Sequence, residues 1–272
     1  MIDLITVVFR DEVPALKIQA RSIDEYVSAT DINCITVVVN DDVDVIDLID
    51  TAWWGRHQSK VVIVPRSFDT TVLGWESQQL CKLLAAADSK SPWSMVLDSK
   101  TWFIRPLEMT KLFDSIGRAQ VGVIPVFPQF IPSQKFVEKL YNVDLSKTIG
   151  PGGVPYMFHT NTVNEMIAGI ENFVDFFQIN VKYPNLITEF HLYSGYVLSK
   201  YGTYDILYNK VTYYMPFNIA HWEPAKFSSL KDSVINPRVH TVSIHRGAYT
   251  QLTEEEKAIW TEFLIQKKLL NS

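Results

Sequence analysis

The chain has 272 residues, of which 47% are hydrophobic and 20% are charged, and its formal net charge is −5. This composition allows a large α/β domain with a substantial core and excludes a mainly disordered chain. The acidic balance argues against a surface that coats nucleic acid. The start of the chain, Met1–Leu4, lacks the basic residues of a signal peptide, and no apolar run approaches the roughly 20 residues that span a bilayer. We therefore expect a cytoplasmic protein without membrane insertion.

The first half of the chain alternates short apolar runs with amphipathic segments. Buried strands are predicted at residues 4–9, 35–39, 60–64, 95–97 and 121–124. Helices are predicted from Pro14 onward, over residues 74–88 and over residues 107–116. This alternation is typical of an α/β domain in which helices flank a mostly parallel central sheet.

Polar side chains follow four of these predicted strands, namely Asp11, Asn40 with Asp41, Arg66 and Asp98. Ligands of parallel sheets bind in a crevice beyond the carboxyl ends of the strands. The sequence therefore predicts that these side chains converge on one binding crevice.

The second half of the chain is less regular and richer in aromatic residues. Helices are predicted over residues 162–177 and 189–200, and a strand over residues 239–244. Thr188 is a predicted N-cap of the second of these helices. Thr253 and Glu256 form the capping-box pattern that starts a terminal helix. The sequence shows no internal repeat or long linker, which favours a single domain.

The segment from Met95 to Phe103 carries the clearest chemical signal. An apolar strand delivers Asp98 to a strand end, and Lys100 stands two residues further along. A lysine ammonium at this place could neutralise a diphosphate, replacing a metal ion that two carboxylates would hold. The alternative interpretation is a solvated turn between two strands.

The predicted helix over residues 74–88 carries two further polar candidates. Gln78 and Lys82 are four residues apart and therefore share a helix face. We expect this face to point toward the strand end that carries Asp98. The alternative is an ordinary amphipathic helix with a solvated polar face.

Three motifs occur in order along the chain, at Gly74–Lys82, Val96–Pro106 and Ile187–Tyr196. Together they resemble a poorly characterised glycosyltransferase-like family of bacteria and phages, over roughly residues 1–250. The resemblance implies a single GT-A-like α/β domain. Its parts would be a nucleotide-sugar-binding half at residues 1–125, an acceptor half at residues 126–250 and a C-terminal helix at residues 251–272.

The same resemblance raises the question of a metal cofactor. In that family the position of Asp98 belongs to an Asp-x-Asp pair, and this chain has Asp-Ser-Lys, with Lys100 at the second carboxylate position. The resemblance implies Mn²⁺ or Mg²⁺ at the pair, whereas Lys100 implies a site without metal. If a metal is bound, Asp98 and His245 are its expected ligands, because a histidine approaches the metal late in GT-A chains.

The resemblance also implies a nucleotide-sugar donor, with uridine diphosphate (UDP) as the expected carrier. The expected donor-binding residues are Phe9, Arg10, Asp11, Asn40, Gln78, Lys82, Asp98, Lys100, His245 and Arg246. With Asp98, Glu189 is the expected catalytic carboxylate, because a helix start favours an ionised acid and a base must take the acceptor's proton. The alternative role of Glu189 is only to cap its helix. Tyr193 and Trp222 are expected to bind the acceptor.

The acceptor remains open between two classes, a surface glycan and a hydroxymethylated pyrimidine in phage DNA, the latter in the host cytoplasm. In either case the enzyme would be a hexosyl- or pentosyltransferase. A rival prediction is a non-catalytic module that binds nucleotide-sugars or glycans and has lost its metal pair. A dinucleotide-dependent oxidoreductase is disfavoured because no Gly-x-Gly-x-x-Gly follows the first strand.

Overall fold

The structure is a computed structural model that describes residues 1–40, 42–66, 68, 74–150, 153–211, 214–221 and 223–271. Its strands are β1 (Ile2–Val8), β2 (Ile32–Val39), β3 (Val61–Pro65), β4 (Trp93–Asp98), β5 (Thr101–Phe103), β6 (Ala119–Gln120), β7 (Val123–Pro125), β8 (Lys147–Ile149), β9 (Tyr156–His159), β10 (Tyr208–Asn209), β11 (Met215–Ile219) and β12 (Val239–Ile244).

The α-helices lie between and after these strands. They are α1 (Val13–Tyr26), α2 (Trp75–Ala87), α3 (Met109–Leu112), α4 (Ile131–Tyr141), α5 (Thr160–Ala168), α6 (Phe173–Asn180), α7 (Glu189–Tyr201), α8 (Leu230–Ile235), α9 (Arg246–Tyr249) and α10 (Glu254–Gln266). Short 3₁₀ segments occupy Arg10–Glu12, Val43–Leu48, Thr51–Lys60, Pro128–Phe130 and Pro224–Ser229.

The central sheet has five strands in the order β3-β2-β1-β4-β9. The first four are parallel, and β9 pairs antiparallel with β4 at one edge. All seven residues of β1 are buried, because this strand has a neighbour on each side and helices cover the sheet. That environment explains why five of its seven residues are aliphatic. The structure thus confirms a mostly parallel central sheet in a mixed α/β fold.

Local signals at three helix ends match the expectations. Pro14 lies in the first turn of α1, where its missing N–H costs no hydrogen bond. The Thr188 side chain accepts a hydrogen bond from the backbone N–H of His191 and caps α7. The capping box of Thr253 and Glu256 starts α10. Each of these signals involves residues within one helical turn, so it can be recognised from the local sequence alone.

Three predicted elements differ from the structure. The helix over residues 107–116 shrinks to the four residues of α3, because Phe113 is extended and bridges to Ala119. The strand over residues 121–124 is not part of the central sheet; β7 pairs with β8 instead, and β9 supplies the fifth strand. The helix over residues 162–177 is two helices, α5 and α6, and Asn172 between them has a left-handed φ of 49°.

A second, smaller sheet has the order β11-β12-β5. It carries its own hydrophobic cluster, in which Trp102 of β5 packs on Trp260 of α10 with ring centroids 5.6 Å apart. Because β5 follows β4 after a two-residue turn, the same connection joins the two sheets. The small sheet therefore combines strands from the first and last parts of the chain. The division at residues 125 and 250 into donor and acceptor parts stays a prediction.

Within the described ranges, no helix is both long enough and apolar enough to cross a membrane.

Candidate functional site

The turn between β4 and β5 positions the central residues of the site. β4 is buried up to Leu97, and Asp98 is the first residue of the strand that reaches partial exposure. The buried side-chain amide of Gln19 in α1 donates to the carbonyl oxygens of Asp98, at 2.6 Å, and Thr101, at 3.0 Å. Two backbone acceptors on either side of the turn are thus held by one amide, which fixes the direction of the side chains between them.

Lys82 of α2 meets two carboxylates inside the protein. Its Nζ lies 2.8 Å from Oδ1 of Asp98 and 3.3 Å from Oε1 of Glu189. Lys82 is 4% exposed and Glu189 is 2% exposed. The Phe190 ring lies on a further side of the ammonium, with its centroid 5.6 Å from Nζ. The prediction from helix spacing, that Lys82 faces the strand end of Asp98, therefore agrees with this geometry.

Lys100 holds the other side of Asp98. Its Nζ lies 3.3 Å from Oδ2 of Asp98 and 3.7 Å from Oε1 of Glu12, and 20% of its side chain is exposed. The Ser99 hydroxyl donates to Oε2 of Glu12 at 2.6 Å. Each oxygen of Asp98 thus faces a different ammonium group. We call the set Lys82, Asp98, Lys100, Glu12 and Glu189 the lysine–carboxylate cluster.

The pKa shifts in this cluster follow from burial and mutual attraction. Burial opposes charge on Asp98, but Lys100 and Lys82 outweigh it and hold the pKa of Asp98 well below its ordinary value. Burial likewise opposes charge on both lysines, yet the adjacent carboxylates raise the pKa of each. Burial raises the pKa of Glu189, and Lys82 offsets only part of that effect. Asp98 and both lysines are therefore charged at neutral pH.

Other strand-end residues contact α2 without joining the cluster. The amide of Gln78 lies 3.5 Å from Oδ1 of Asp98, at the limit of a hydrogen bond. The Asn40 amide is buried and lies 2.7 Å from the Ser77 hydroxyl, near the start of α2. Arg66 forms an ion pair with Asp88 just after α2. Asn40 thus contacts the start of α2, and Arg66 contacts the residue that follows its end.

The loop after β1 and the end of β12 meet at an exposed rim. Arg246 pairs with Asp11, and both side chains are about two-thirds exposed, at 67% and 68%. Arg10 in the same loop contacts Asp44 at 2.5 Å. Phe9, which precedes them, is half-buried. We call Arg10, Asp11 and Arg246 the rim.

His245 is close enough to Lys100 of the cluster and to Arg246 of the rim for both charges to act on it. Its Nδ1 accepts a hydrogen bond from the Gly247 N–H at 3.0 Å. Burial lowers the pKa of His245, and the positive charge of Lys100 lowers it further. The end of β12 thus places a neutral imidazole where the charges of Lys100 and Glu12 act on it.

Glu189 is held as a structural partner in this arrangement. Its N–H lies at the start of α7 and donates to Oε1 of Gln79 at 3.3 Å, while Thr188 provides the cap of the helix. A base must come within hydrogen-bond reach of the acceptor's proton. At 2% exposure, behind Lys82, Glu189 has no such access here. In this arrangement Glu189 is a buried partner of Lys82, and its role as the catalytic base stays a prediction.

The structure describes one of the two predicted acceptor residues, Tyr193. Tyr193 is fully buried; its hydroxyl accepts from Tyr208 at 2.8 Å and from the His159 N–H at 3.1 Å. Its side chain has no exposed surface in this arrangement, and its role in binding the acceptor stays a prediction. Trp222 lies outside the described residues, as does Asp41 of the predicted crevice.

The residues at the end of β4 do not suit a divalent cation. In the part of the chain that the structure describes, no group of three or more His, Cys, Asp or Glu side chains could hold a metal ion. Both oxygens of Asp98 already face ammonium groups, which would repel a second positive charge. In this structure Asp98 is the counter-ion of two lysines, and its role with His245 as a metal ligand stays a prediction.

Two residues of the site were absent from the sequence-based set. Glu12 links Lys100 to the loop after β1, and Gln19 fixes the β4–β5 turn. Glu12 could have been found by the strand-end rule, because it directly follows the predicted candidate Asp11. Gln19 lies in mid-helix among apolar residues, and only the fold shows that its amide faces the turn.

A separate cavity of about 580 Å³ has almost entirely apolar walls. Its lining includes Met95, Phe103, Met157, Tyr214 and His240, and no member of the lysine–carboxylate cluster. The phosphates of a nucleotide-sugar would find few hydrogen-bond partners in such a cavity. The charged strand end, and not this cavity, is therefore the candidate for a donor site.

Comparison with known proteins supports the fold assignment. Residues 4–231 match a family described as a family of unknown function (DUF6492). The chain is similar to the crystal structure of the galactosyltransferase LgtC in complex with donor and acceptor sugar analogues, at 13% identity and a TM-score of 0.51, covering 100% of this chain and 97% of that chain. An active-site mutant of LgtC gives 12% identity and a TM-score of 0.50, covering 96% of each chain.

The glycosyltransferase GlyE of Streptococcus pneumoniae TIGR4 is also similar, at 8% identity and a TM-score of 0.48, covering 97% of this chain and 60% of that chain. A search of curated proteins found no match. At the identities of the two LgtC structures, the likeness shows the fold alone. The GT-A-like α/β fold predicted from the sequence is thereby confirmed.

Proposed function

The chain belongs to the family of unknown function DUF6492, and we propose that it is a glycosyltransferase that moves a sugar from a UDP-linked donor to an acceptor hydroxyl. The observation that carries this proposal is the lysine–carboxylate cluster at the carboxyl end of β4. Ligands of such sheets bind at that edge. The fold it shares with glycosyltransferases supports the same reading.

Lys100 is the proposed contact for the donor's diphosphate. It is the more accessible of the two lysines, and Asp98 and Glu12 hold its ammonium in place. When the bond between sugar and diphosphate breaks, negative charge grows on the leaving phosphate, and a preorganised ammonium stabilises that charge. Arg246 adds a planar guanidinium suited to phosphate oxygens, and the charges of Lys100 and Arg246 both act on His245.

The nucleoside is proposed to lie along the loop after β1. Phe9 offers a half-buried ring for the base, and Arg10 and Asp11 offer polar groups at the rim. Asn40 and Gln78 line the neighbouring wall by α2, where Asn40 contacts Ser77. Uridine is the proposed base because of the resemblance seen in the sequence.

For the acceptor we propose a glycan hydroxyl over a hydroxymethylated pyrimidine in phage DNA. The net charge of −5 disfavours a phosphate-coating surface. A DNA acceptor would have to be flipped into the site, and its binding would weaken steeply with salt. Transfer to glucosylated or galactosylated oligosaccharides with little dependence on salt supports the glycan. Transfer to hydroxymethylated DNA that falls steeply between 50 and 200 mM salt, ~10-fold or more, supports the DNA.

The first experiment is calorimetric titration of UDP into the full chain, followed by release of UDP from a panel of UDP-sugars. Replacing the diphosphate contact in Lys100→Met removes a charge-assisted interaction worth ~1.5–3 kcal/mol, so the Kd should rise about tenfold or more. Lys111→Met is the matched control, because Lys111 is an exposed lysine that pairs with Glu108 outside the cluster.

Three outcomes separate the possible functions. UDP binding with sugar release, both weakened in Lys100→Met and unchanged in Lys111→Met, supports the transferase. UDP binding without any turnover over the whole donor panel supports a non-catalytic binding module instead. No UDP binding at millimolar concentration contradicts the uridine donor.

A further inference from the structure

We propose that the ammonium of Lys82 is a built-in counter-ion that takes the place of a divalent cation, so that the site works without metal. The inference rests on the proposed function for its catalytic meaning. Its physical content, the choice of cation between two buried carboxylates, can be tested without any substrate.

The position of Lys82 between carboxylates of separate elements is the first argument. Asp98 comes from the end of β4 and Glu189 from the start of α7, and one ammonium lies within 3.3 Å of both. Two carboxylates from distant parts of the chain that face one small space make a typical site for a hard divalent cation. Here a tethered lysine fills that space.

The completeness of the surroundings is the second argument. The Lys82 ammonium is flanked by two carboxylates and the face of the Phe190 ring, and the residue is 4% exposed. A second ammonium, that of Lys100, lies 3.3 Å from the other oxygen of Asp98. A metal ion at Asp98 would therefore have to displace one lysine while another remained close by.

The face of α2 shows the same specialisation. Gln78, one turn before Lys82, turns its amide toward Asp98 at 3.5 Å. Gln79 accepts a hydrogen bond from the N–H of Glu189 at 3.3 Å. Three side chains of one helix thus address the two carboxylates and the backbone beside them. We infer that α2 supplies the cation and the fixed geometry that a metal would otherwise provide.

Lys82 acts on a donor through its neighbours, so its role is positioning. Its burial keeps it from the donor, whereas Lys100 shares Asp98 with it and has an exposed part of its side chain. By holding Asp98 in place, Lys82 fixes the carboxylate against which Lys100 is oriented. A residue that only stabilised the fold would not influence which cation the site accepts.

The test is a titration of manganese chloride into the full chain in the absence of nucleotide. Binding is followed by the electron paramagnetic resonance of Mn²⁺, and stability by the midpoint of thermal unfolding. The proteins are wild type, Asp98→Asn, Lys82→Ser, Lys82→Ser with Asp98→Asn and Glu189→Gln, and the control Lys200→Ser. Lys200 is a helix lysine in an ion pair with Glu165, away from the cluster.

We expect wild type and Lys200→Ser to bind no stoichiometric Mn²⁺ and to keep their midpoints. Lys82→Ser should unfold at a lower temperature and should gain one Mn²⁺ site, with a midpoint that Mn²⁺ raises and an equal ionic strength of sodium chloride does not. The triple variant should lose the manganese response because both carboxylates are gone.

Stoichiometric Mn²⁺ binding by wild type that Asp98→Asn abolishes would overturn the inference. A folded Lys82→Ser variant with no manganese response would do the same. If Lys82→Ser fails to fold, the wild-type titration still decides, together with UDP binding measured in EDTA and in manganese, which should be equal. UDP that does not bind at all would reject the proposed donor and leave the manganese result standing on its own.

Discussion

The two ends of the proposed donor site use opposite charges in different ways. In the lysine–carboxylate cluster, Lys82 and Glu189 are almost completely buried and each ammonium has two carboxylates near it. At the rim, Arg246 and Asp11 form a single pair with about two-thirds of each side chain exposed. The cluster is therefore a fixed framework, and the rim is a surface whose charges can change partners.

The physical reason for this difference is solvation. Removing one partner of a buried ion pair leaves an uncompensated charge and typically costs ~3–5 kcal/mol. An exposed pair contributes only ~0–1 kcal/mol, because water solvates the separated charges. A phosphate can therefore replace Asp11 as the partner of Arg246 at little cost, whereas nothing from solvent easily replaces Asp98 beside Lys82.

The largest expected effect on stability comes from removing a charge from the buried lysine–carboxylate cluster. Lys82→Met leaves Glu189 without a cation, and the free energy of unfolding in urea at pH 7 should fall by ~3–5 kcal/mol. Lys200→Met, which removes an exposed partner of Glu165, should cost less than ~1 kcal/mol. Equal losses in the two variants would mean that burial does not distinguish the two regions.

A substitution that changes packing without changing charge can be made in α7, the helix that begins with Glu189. A Cβ at Gly195 in α7 would lie 2.2 Å from Cγ1 of Val137 and 3.0 Å from Cδ2 of Tyr141. Gly195→Ala should therefore cost ~1–3 kcal/mol by overpacking, reduced by the better helix propensity of alanine. Adding Val137→Ala should recover part of the loss, because it makes room.

The measurement for Gly195→Ala is urea unfolding, with the manganese titration as a second readout. The variant should be less stable and should still bind no Mn²⁺, since all members of the cluster remain. A gain of manganese binding would show that the cluster depends on packing of α7 more than on Lys82.

A smaller effect concerns pH and Glu189. Burial raises the pKa of Glu189, opposed by Lys82. A group with a raised folded pKa contributes stability that is complete below its unfolded value of ~4.3 and is lost as pH rises through the folded value. Glu189→Gln has no such proton, so its stability relative to wild type should improve between pH 4 and pH 7. A constant difference over that range would contradict the raised pKa.

The smallest expected effect on stability lies at the rim. Arg246→Ala should change the free energy of unfolding by less than ~0.5 kcal/mol, because its pair with Asp11 is exposed. The same variant should weaken UDP binding by about tenfold, the loss of one charge-assisted phosphate contact. A stability loss above ~2 kcal/mol, or unchanged UDP affinity, would remove the distinction drawn here between rim and cluster.

Much of the fold followed from patterns that are local in sequence. β12 was predicted with the bounds Val239–Ile244, and in the structure all six of its residues are buried between β11 and β5. The start of α10 was found from its capping box. The prediction of a helix over residues 107–116 was wrong. The apolar spacing there resembles that of a helix, but the bridge between Phe113 and Ala119 requires an extended backbone.

The site residues also differ in how far local sequence patterns predict them. Strand-end position and helix spacing were sufficient to bring Asp98, Lys82 and Lys100 together. The burial of Glu189 was beyond the sequence, because it depends on how α7 packs against α2 across about 100 residues of chain. The burial of Tyr193 depends in the same way on Tyr208. Long-range packing, and not residue type, therefore decides whether these side chains are buried or exposed.

The composition of the lysine–carboxylate cluster also has a consequence for biosynthesis. At ~5–20 residues per second, a ribosome makes Glu189 roughly 5–20 seconds after Lys82. β12, the partner of β5 beside the same turn, emerges later still. During that interval the nascent chain holds Lys82 with only the first of its two carboxylate partners, Asp98. The buried ion pair between Lys82 and Glu189 can therefore form only after the start of α7 has been synthesised.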